Sequence, residues 1–203
     1  MSKKAVVTFN GSFDTRINDP SSKYDLISFE QIIERAQNPT AFIKERAPAI
    51  VPSSYHGYDA RSHQVQRERG EFHFLCADVD EGSPSLEAIK SALIDLDNPC
   101  AVIYSTASST PENMKWRVIV PLSSTISGSE YRVTAESFFL LLHERGIECD
   151  VALAREAQPV FLPNVPPERR QDQLPTGLPL FYEFAVIDGP PLDSSHPLLS
   201  GRI

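Results

Sequence analysis

Two aspartates two residues apart, Asp78 and Asp80, close the run Phe72-His73-Phe74-Leu75-Cys76-Ala77-Asp78-Val79-Asp80-Glu81-Gly82. The run reads as a β-strand, and alternate side chains of a strand point to one face. Phe72, Phe74 and Cys76 are therefore expected to share a face with Asp78 and Asp80, apolar where the strand enters and acidic where it leaves. Two carboxylates so placed can reach one hard divalent cation. Mg²⁺ takes oxygen ligands and is commonly held by one or two carboxylates plus substrate phosphates. The same residues also read as a strand ending in a solvated acidic turn, because Glu81-Gly82 follows at once. A third isolated aspartate, Asp150, and a hydroxyl-rich loop followed by Lys115 and Arg117 widen the constellation. Carboxylates from separate segments could hold two metals that bring an attacking 3′-oxygen and an α-phosphate together. Arg117 and Lys115 would then bind triphosphate oxygens.

Positioning these residues takes an ordered set of elements. Ala5-Val6-Val7-Thr8-Phe9 reads as a strand stopped by Asn10-Gly11. Ser28-Phe29-Glu30-Gln31 fits a capping box and predicts a helix ending before Pro39. A second short helix is expected over 40–46, before Pro48 and Pro52 break the chain. Leu86, Ile89, Leu93 and Leu96 recur at helical spacing and face the core. Ala101 to Ser105 is the continuous apolar run of a buried strand. The loop Thr106 to Lys115 leads to a strand over 116–122. Trp116, Val118, Val120 and Leu122 share one face of it, with the tryptophan expected to be buried against the long helix that follows, and Arg117 and Ile119 share the other. The longest helix is expected over 127–145, with Tyr131, Ala135, Phe138 and Leu142 inward and Gly146 as its C-terminal stop. His143 reads as a residue satisfying that helix end. Asp150 falls in a strand or bend. A short strand over 159–163, a polar loop over 166–177 with Arg169-Arg170, and a last strand over 178–186 follow. The fold class is α+β with an antiparallel sheet. Residues 1–187 form the expected domain, and 188–203 read as a linker or tail.

The bulk properties narrow the partners. A chain of 203 residues supports one substantial core or two small ones. The net charge of −8 argues against a broad nucleic-acid-coating surface and leaves room for a local basic groove. Arg61, Arg67 and Arg69, set among Tyr55, His56, Tyr58 and His63, make the densest basic segment. It reads either as a surface for phosphates or a single strand, or as a solvated loop. Cys76, Cys100 and Cys149 form no C-x-x-C pair and suggest reduced thiols in a cytoplasmic protein. No apolar run is long enough to span a membrane, and no signal-peptide core follows Met1-Ser2-Lys3-Lys4.

Ala77-Asp78-Val79-Asp80, the run from Tyr104-Ser105-Thr106 through Pro111-Glu112-Asn113-Met114-Lys115-Trp116-Arg117 to Pro121-Leu122, and Asp150 together resemble the catalytic core of archaeo-eukaryotic-type primases. The resemblance is to the primase–polymerase domains of phage, plasmid and genomic-island replication proteins, including the virulence-associated E type. It covers about residues 50–165. It implies an RRM-like palm, an antiparallel sheet flanked by helices, with a small N-terminal α/β portion. It further implies Mg²⁺ or Mn²⁺ held by Asp78, Asp80 and Asp150, and a nucleotide at Ser105, Ser108, Ser109, Lys115 and Arg117. NTPs or dNTPs, a single-stranded DNA template or primer near Arg61, Arg67 and Arg69, and a helicase domain or subunit are the implied partners. The chain departs from the family at one place. Relatives usually carry a histidine in the hydroxyl loop, whereas Thr106-Ala107-Ser108-Ser109-Thr110 has none, which leaves His56, His63 or His73 to substitute in space. Two readings follow: a DNA primase or polymerase performing metal-dependent nucleotidyl transfer, or a primase-fold module that binds nucleic acid or nucleotide in replication initiation with transfer weakened. A nucleotide cyclase with a similar palm is a third, without the Gly-Gly-rich signature it calls for.

Overall fold

A computed structural model describes residues 4–11, 19–171, 181–196 and 199. In chain order the elements are β1 (Ala5–Asn10), β2 (Asp25–Ser28), α1 (Phe29–Gln37), β3 (Pro48–Val51), α2 (His63–Arg69) and β4 (Glu71–Val79). Then come α3 (Leu86–Ile94), β5 (Ala101–Ser105), β6 (Trp116–Ser127), α4 (Gly128–His143), β7 (Val160–Phe161), α5 (Pro167–Gln171) and β8 (Phe184–Ile187). Short 3₁₀ turns occupy Lys44–Arg46 and Val151–Ala154. The strands form two antiparallel four-stranded sheets, ordered β2-β1-β3-β7 and β4-β6-β5-β8. The fold is thus α+β, antiparallel sheets flanked by helices. No helix among the described residues is long and apolar enough to cross a membrane.

Local chemistry explains most boundaries. Ser28 caps α1 as a full capping box: its Oγ accepts from the Gln31 N–H at 3.3 Å, and its own N–H donates to Gln31 Oε1 at 2.9 Å. The second helix expected over 40–46 shrinks to the Lys44–Arg46 turn. Its early carbonyls are taken by other partners: Thr40 accepts from the Val165 N–H at 2.8 Å and Phe42 from Asn164 Nδ2 at 2.9 Å. The basic segment, read as a surface loop or strand-binding surface, folds in part as α2, capped by Ser62. α4 begins with its own capping box, Ser127 with Glu130. Gly128 is required there, since a Cβ would lie 2.0 Å from the Gln66 carbonyl oxygen of α2.

The core spans both sheets, and the second carries Asp78 and Arg117. β4-α3-β5-β6 places β6 between β4 and β5, as in a split βαβ run, and β8 adds at the far edge beside β5. Phe72 stacks on Tyr131 of α4 at 4.0 Å, and Phe74 meets Phe29 of α1 at 5.7 Å. β6 runs past the expected Leu122 to Ser127 through a shift in register, from Phe74↔Pro121 to Phe72↔Ile126. Trp116 is fully buried. Its indole N–H donates to the Pro84 carbonyl at 2.8 Å, and its ring meets Phe181 edge-on at 5.9 Å.

The chain after Asp188, read as a linker, is pinned where described. Ser123 N–H donates to the Leu192 carbonyl and Leu192 N–H to the Pro121 carbonyl, both at 2.8 Å. Backbone pairing of this kind leaves no periodic pattern in the sequence. Residues 172–180, the second half of the expected 166–177 loop and the start of the expected 178–186 strand, lie outside the described residues; the strand present is Phe184–Ile187.

Candidate functional site

A cleft of about 490 Å³ opens between the two sheets, lined among others by Asp78, Asp80, Tyr104, Arg117, Asp150 and Phe161. Three of these residues stand on one rung. Asp78 of β4 is the cross-strand partner of Arg117 of β6, and Arg117 in turn of Tyr104 of β5. Directly opposed residues of an antiparallel pair share a face and touch. Arg117 Nη2 donates to Asp78 Oδ2, and Nη1 donates to the Phe161 carbonyl at 2.9 Å. The Tyr104 hydroxyl donates to the same carbonyl at 2.7 Å. Both members of the ion pair are buried, at 10% side-chain exposure for Asp78 and 8% for Arg117. Asp78 Oδ1 and Arg117 Nε are buried without a hydrogen-bond partner.

Burial dominates the electrostatics of this floor. It pushes the Asp78 carboxyl above its ordinary value against the pull of Arg117, and Asp80 adds to the rise. It works against the guanidinium most strongly of any single influence, but Asp78 and the neighbouring acidic groups together outweigh it and hold Arg117 charged. Burial lifts the Cys76 thiol and the Tyr104 phenol far above their usual range, so both stay protonated and neither is a nucleophile.

The other two carboxylates are also engaged. Asp80 lies just past the end of β4, with Lys115 Nζ 3.7 Å from its Oδ1. Asp150, expected in a strand or bend, caps the Val151–Ala154 turn: its side chain accepts from the Ala152 N–H at 2.8 Å. Its backbone N–H donates to the Asp78 carbonyl at 2.8 Å, which brings it to the cleft. Among the described residues no group of three or more His, Cys, Asp or Glu side chains is gathered as a metal ion needs. The donor set therefore does not fit Mg²⁺ or Mn²⁺ in this arrangement, because hard cations need several converging oxygens and Asp78 gives one of its two to a guanidinium.

The expected nucleotide contacts divide. Ser105 and Ser108 line the cleft. The Ser105 hydroxyl is buried and accepts from the Glu183 N–H at 3.0 Å, so only Ser108 presents an exposed hydroxyl. Ser109 is fully buried and accepts from the Lys115 N–H at 2.9 Å, outside the cleft lining. Lys115 is not part of the lining either. Lys44 and Arg169 are cleft residues that sequence reasoning passed over. Arg169 donates to the Ser109 carbonyl and ties α5 to the hydroxyl loop. Its only signal was the Arg169-Arg170 pair in a polar stretch.

The basic segment does not reach the cleft. The Arg61 guanidinium lies over the Phe9 ring at 4.7 Å, Arg67 Nε bonds Glu156 Oε1 at 2.7 Å, and Arg69 lies beside Tyr55. None of the three lines the opening. Nor does a histidine among the described residues. His63 Nδ1 accepts from the Ala157 N–H at 3.2 Å, His73 Nδ1 meets Thr125 Oγ1 at 3.2 Å, and His56 Nδ1 meets the Ser54 carbonyl at 2.9 Å.

No protein-family model matches the chain, and no curated protein matches it in sequence. Among solved structures the chain is similar to the Cyanophage S-2L Primase-Polymerase (PrimPol), AEP domain (PP-N190), at 11% identity and a TM-score of 0.48, covering 95% of this chain and 85% of that one.

Proposed function

We propose that the chain is a primase-like module whose cleft binds the phosphates of a nucleotide or of a single-stranded nucleic acid, and that metal-dependent nucleotidyl transfer there is weak. The observation that carries this reading is the guanidinium of Arg117 on the carboxylate of Asp78. Two-metal transfer needs that carboxylate on an ion. Lys44, Arg169 and the exposed hydroxyl of Ser108 supply donors around an opening of nucleotide size. The hydroxyl loop lacks the histidine that would add a charge-assisted donor toward developing phosphate charge. In this reading the sheet β4-β6-β5-β8 is the RRM-like palm of a single domain over 1–187. The α2 region with Arg61, Arg67 and Arg69 is the path of a template strand, and a helicase domain or subunit is the partner.

A second reading, metal-dependent primer synthesis with Mg²⁺ or Mn²⁺, is favoured by the presence of Asp78, Asp80 and Asp150 on one cleft and by the unpartnered Oδ1 of Asp78. Two assays on the same preparation separate them. Fluorescence titration with labelled ATP measures binding, and primer synthesis on a single-stranded DNA template with Mn²⁺ measures transfer. Binding with synthesis at background supports the module. Robust synthesis abolished by Asp78→Ala with Asp80→Ala installs the enzyme, and absence of ATP and oligonucleotide binding refutes both.

A further inference from the structure

The acidic pair Asp78-x-Asp80 meets a basic pair of the same spacing, Lys115-x-Arg117, in antiparallel register. Asp78 is opposite Arg117 and Val79 opposite Trp116, and one step further Lys115 Nζ lies 3.7 Å from Asp80 Oδ1. Opposite charges facing each other across neighbouring strands attract, and like charges repel. The guanidinium is fixed on three sides, by Asp78 Oδ2, by the Phe161 carbonyl and by the Phe161 ring 5.9 Å from its centre. The third carboxylate, Asp150, is held by the Ala152 N–H.

We infer that Lys115 and Arg117 are resident counter-ions standing where divalent metals would stand, so that the cleft takes its anionic ligand without a metal. This rests on reading the cleft as a phosphate-binding site and names how that site is charged. A divalent ion entering between Asp78 and Asp80 would have to displace a buried guanidinium and sit within a few ångströms of two fixed positive charges. At such range even partly screened repulsion outweighs what the remaining carboxylate oxygens return. The neutralised carboxylates, in turn, no longer repel an incoming phosphate. Lys44 and Arg169 are the basic residues on the other parts of the lining, beside the acids Asp150 and Glu168. Removing a counter-ion should therefore create a metal site rather than destroy one.

The experiment is Mn²⁺ titration of the full chain followed by electron paramagnetic resonance, with ATP titration in parallel in EDTA and in Mn²⁺. The wild type binds Mn²⁺ weakly, and its ATP affinity changes little between the two buffers. Lys115→Ala and Arg117→Ala each tighten Mn²⁺ binding by about tenfold or more, and Asp80→Ala added to Lys115→Ala removes the gain. If Arg117→Ala does not fold, Lys115→Ala, at a partly exposed position, decides alone. Tight Mn²⁺ binding by the wild type that is lost in Asp78→Asn, an ATP affinity about tenfold higher in Mn²⁺ than in EDTA, or no tightening in Lys115→Ala overturns the inference. ATP binding in neither buffer refutes the phosphate-binding reading instead, while the Mn²⁺ comparison still decides the counter-ions.

Discussion

Two arginines of this chain each hold a buried carboxylate, in opposite settings. Arg117 and Asp78 are buried together, whereas Arg67 is 56% exposed above a Glu156 that is 3% exposed. The titrations of the two acids move in opposite directions. Burial prevails at Asp78 and raises it. At Glu156 burial is the largest single influence and pushes upward, but the Arg67 hydrogen bond, the backbone hydrogen bond and the nearby positive charge together outweigh it, and the carboxyl lies below its ordinary value. An arginine that reaches its acid from solvent gives up little hydration for the contact. An arginine buried with its acid gives up most of it, and neither can then be removed without stranding the other. The first arrangement is a strut between α2 and the segment after the Val151–Ala154 turn. The second is the charged floor of the cleft.

The largest effect should come from breaking the buried pair. Arg117→Ala is expected to cost about 3–5 kcal/mol by urea unfolding, since it leaves Asp78 uncompensated. Arg117→Met with Asp78→Leu should recover much of that loss. A loss no larger than that of Arg67→Ala would erase the distinction between the two pairs, because Arg67 works from solvent and its removal should lower the melting temperature less. Next in size is the hydroxyl loop. Ser109→His forces a ring into a fully buried site and should destabilise by about 1–3 kcal/mol. Ala107→His, at an exposed position on the cleft lining, should fold normally. It should also raise ATP affinity, measured by titration; equal stability of the two variants would place Ser109 at the surface.

Much of this was legible because it is local. The Ser28–Gln31 capping box, the α3 and α4 periodicities and the acidic pair all lie within a few residues of chain. What stayed hidden depends on pairing at a distance. Lys115 and Arg117 are plain in the sequence, but only the β4–β6 register sets them beside Asp80 and Asp78. β7 is two residues long, too short for any period, and it pairs with β3 from the other end of the chain. Lys44 and Arg169 reach the cleft through that pairing and its flanks. α2 escaped for another reason: its one buried residue is Gln66, so no apolar stripe announces it.

The finest test of the contrast is pH. The stability that Glu156 contributes is fully present above the ordinary glutamate value of 4.5 and is lost as pH falls through its lowered folded value. Asp78 behaves inversely. Its advantage is present below the ordinary aspartate value of 3.8 and is lost as pH rises through its raised folded value. The stability difference between wild type and Glu156→Gln should therefore shrink on acidification from about pH 7 to about pH 3, while that between wild type and Asp78→Asn moves in favour of the wild type. Parallel slopes in denaturant unfolding would mean that the two acids share one environment after all.

The Phe161 carbonyl belongs by its backbone to the first sheet, where Phe161 faces Ala49, yet it accepts from Tyr104 and Arg117 of the second. One oxygen has two lone pairs, and both are taken. The two sheets are in this sense geared: sliding one against the other turns the guanidinium that meets Asp78. A ligand entering the opening therefore meets a floor in which this one oxygen joins the two sheets. The amide I band of Phe161 labelled with ¹³C at its carbonyl would then act as a strain gauge for the whole opening.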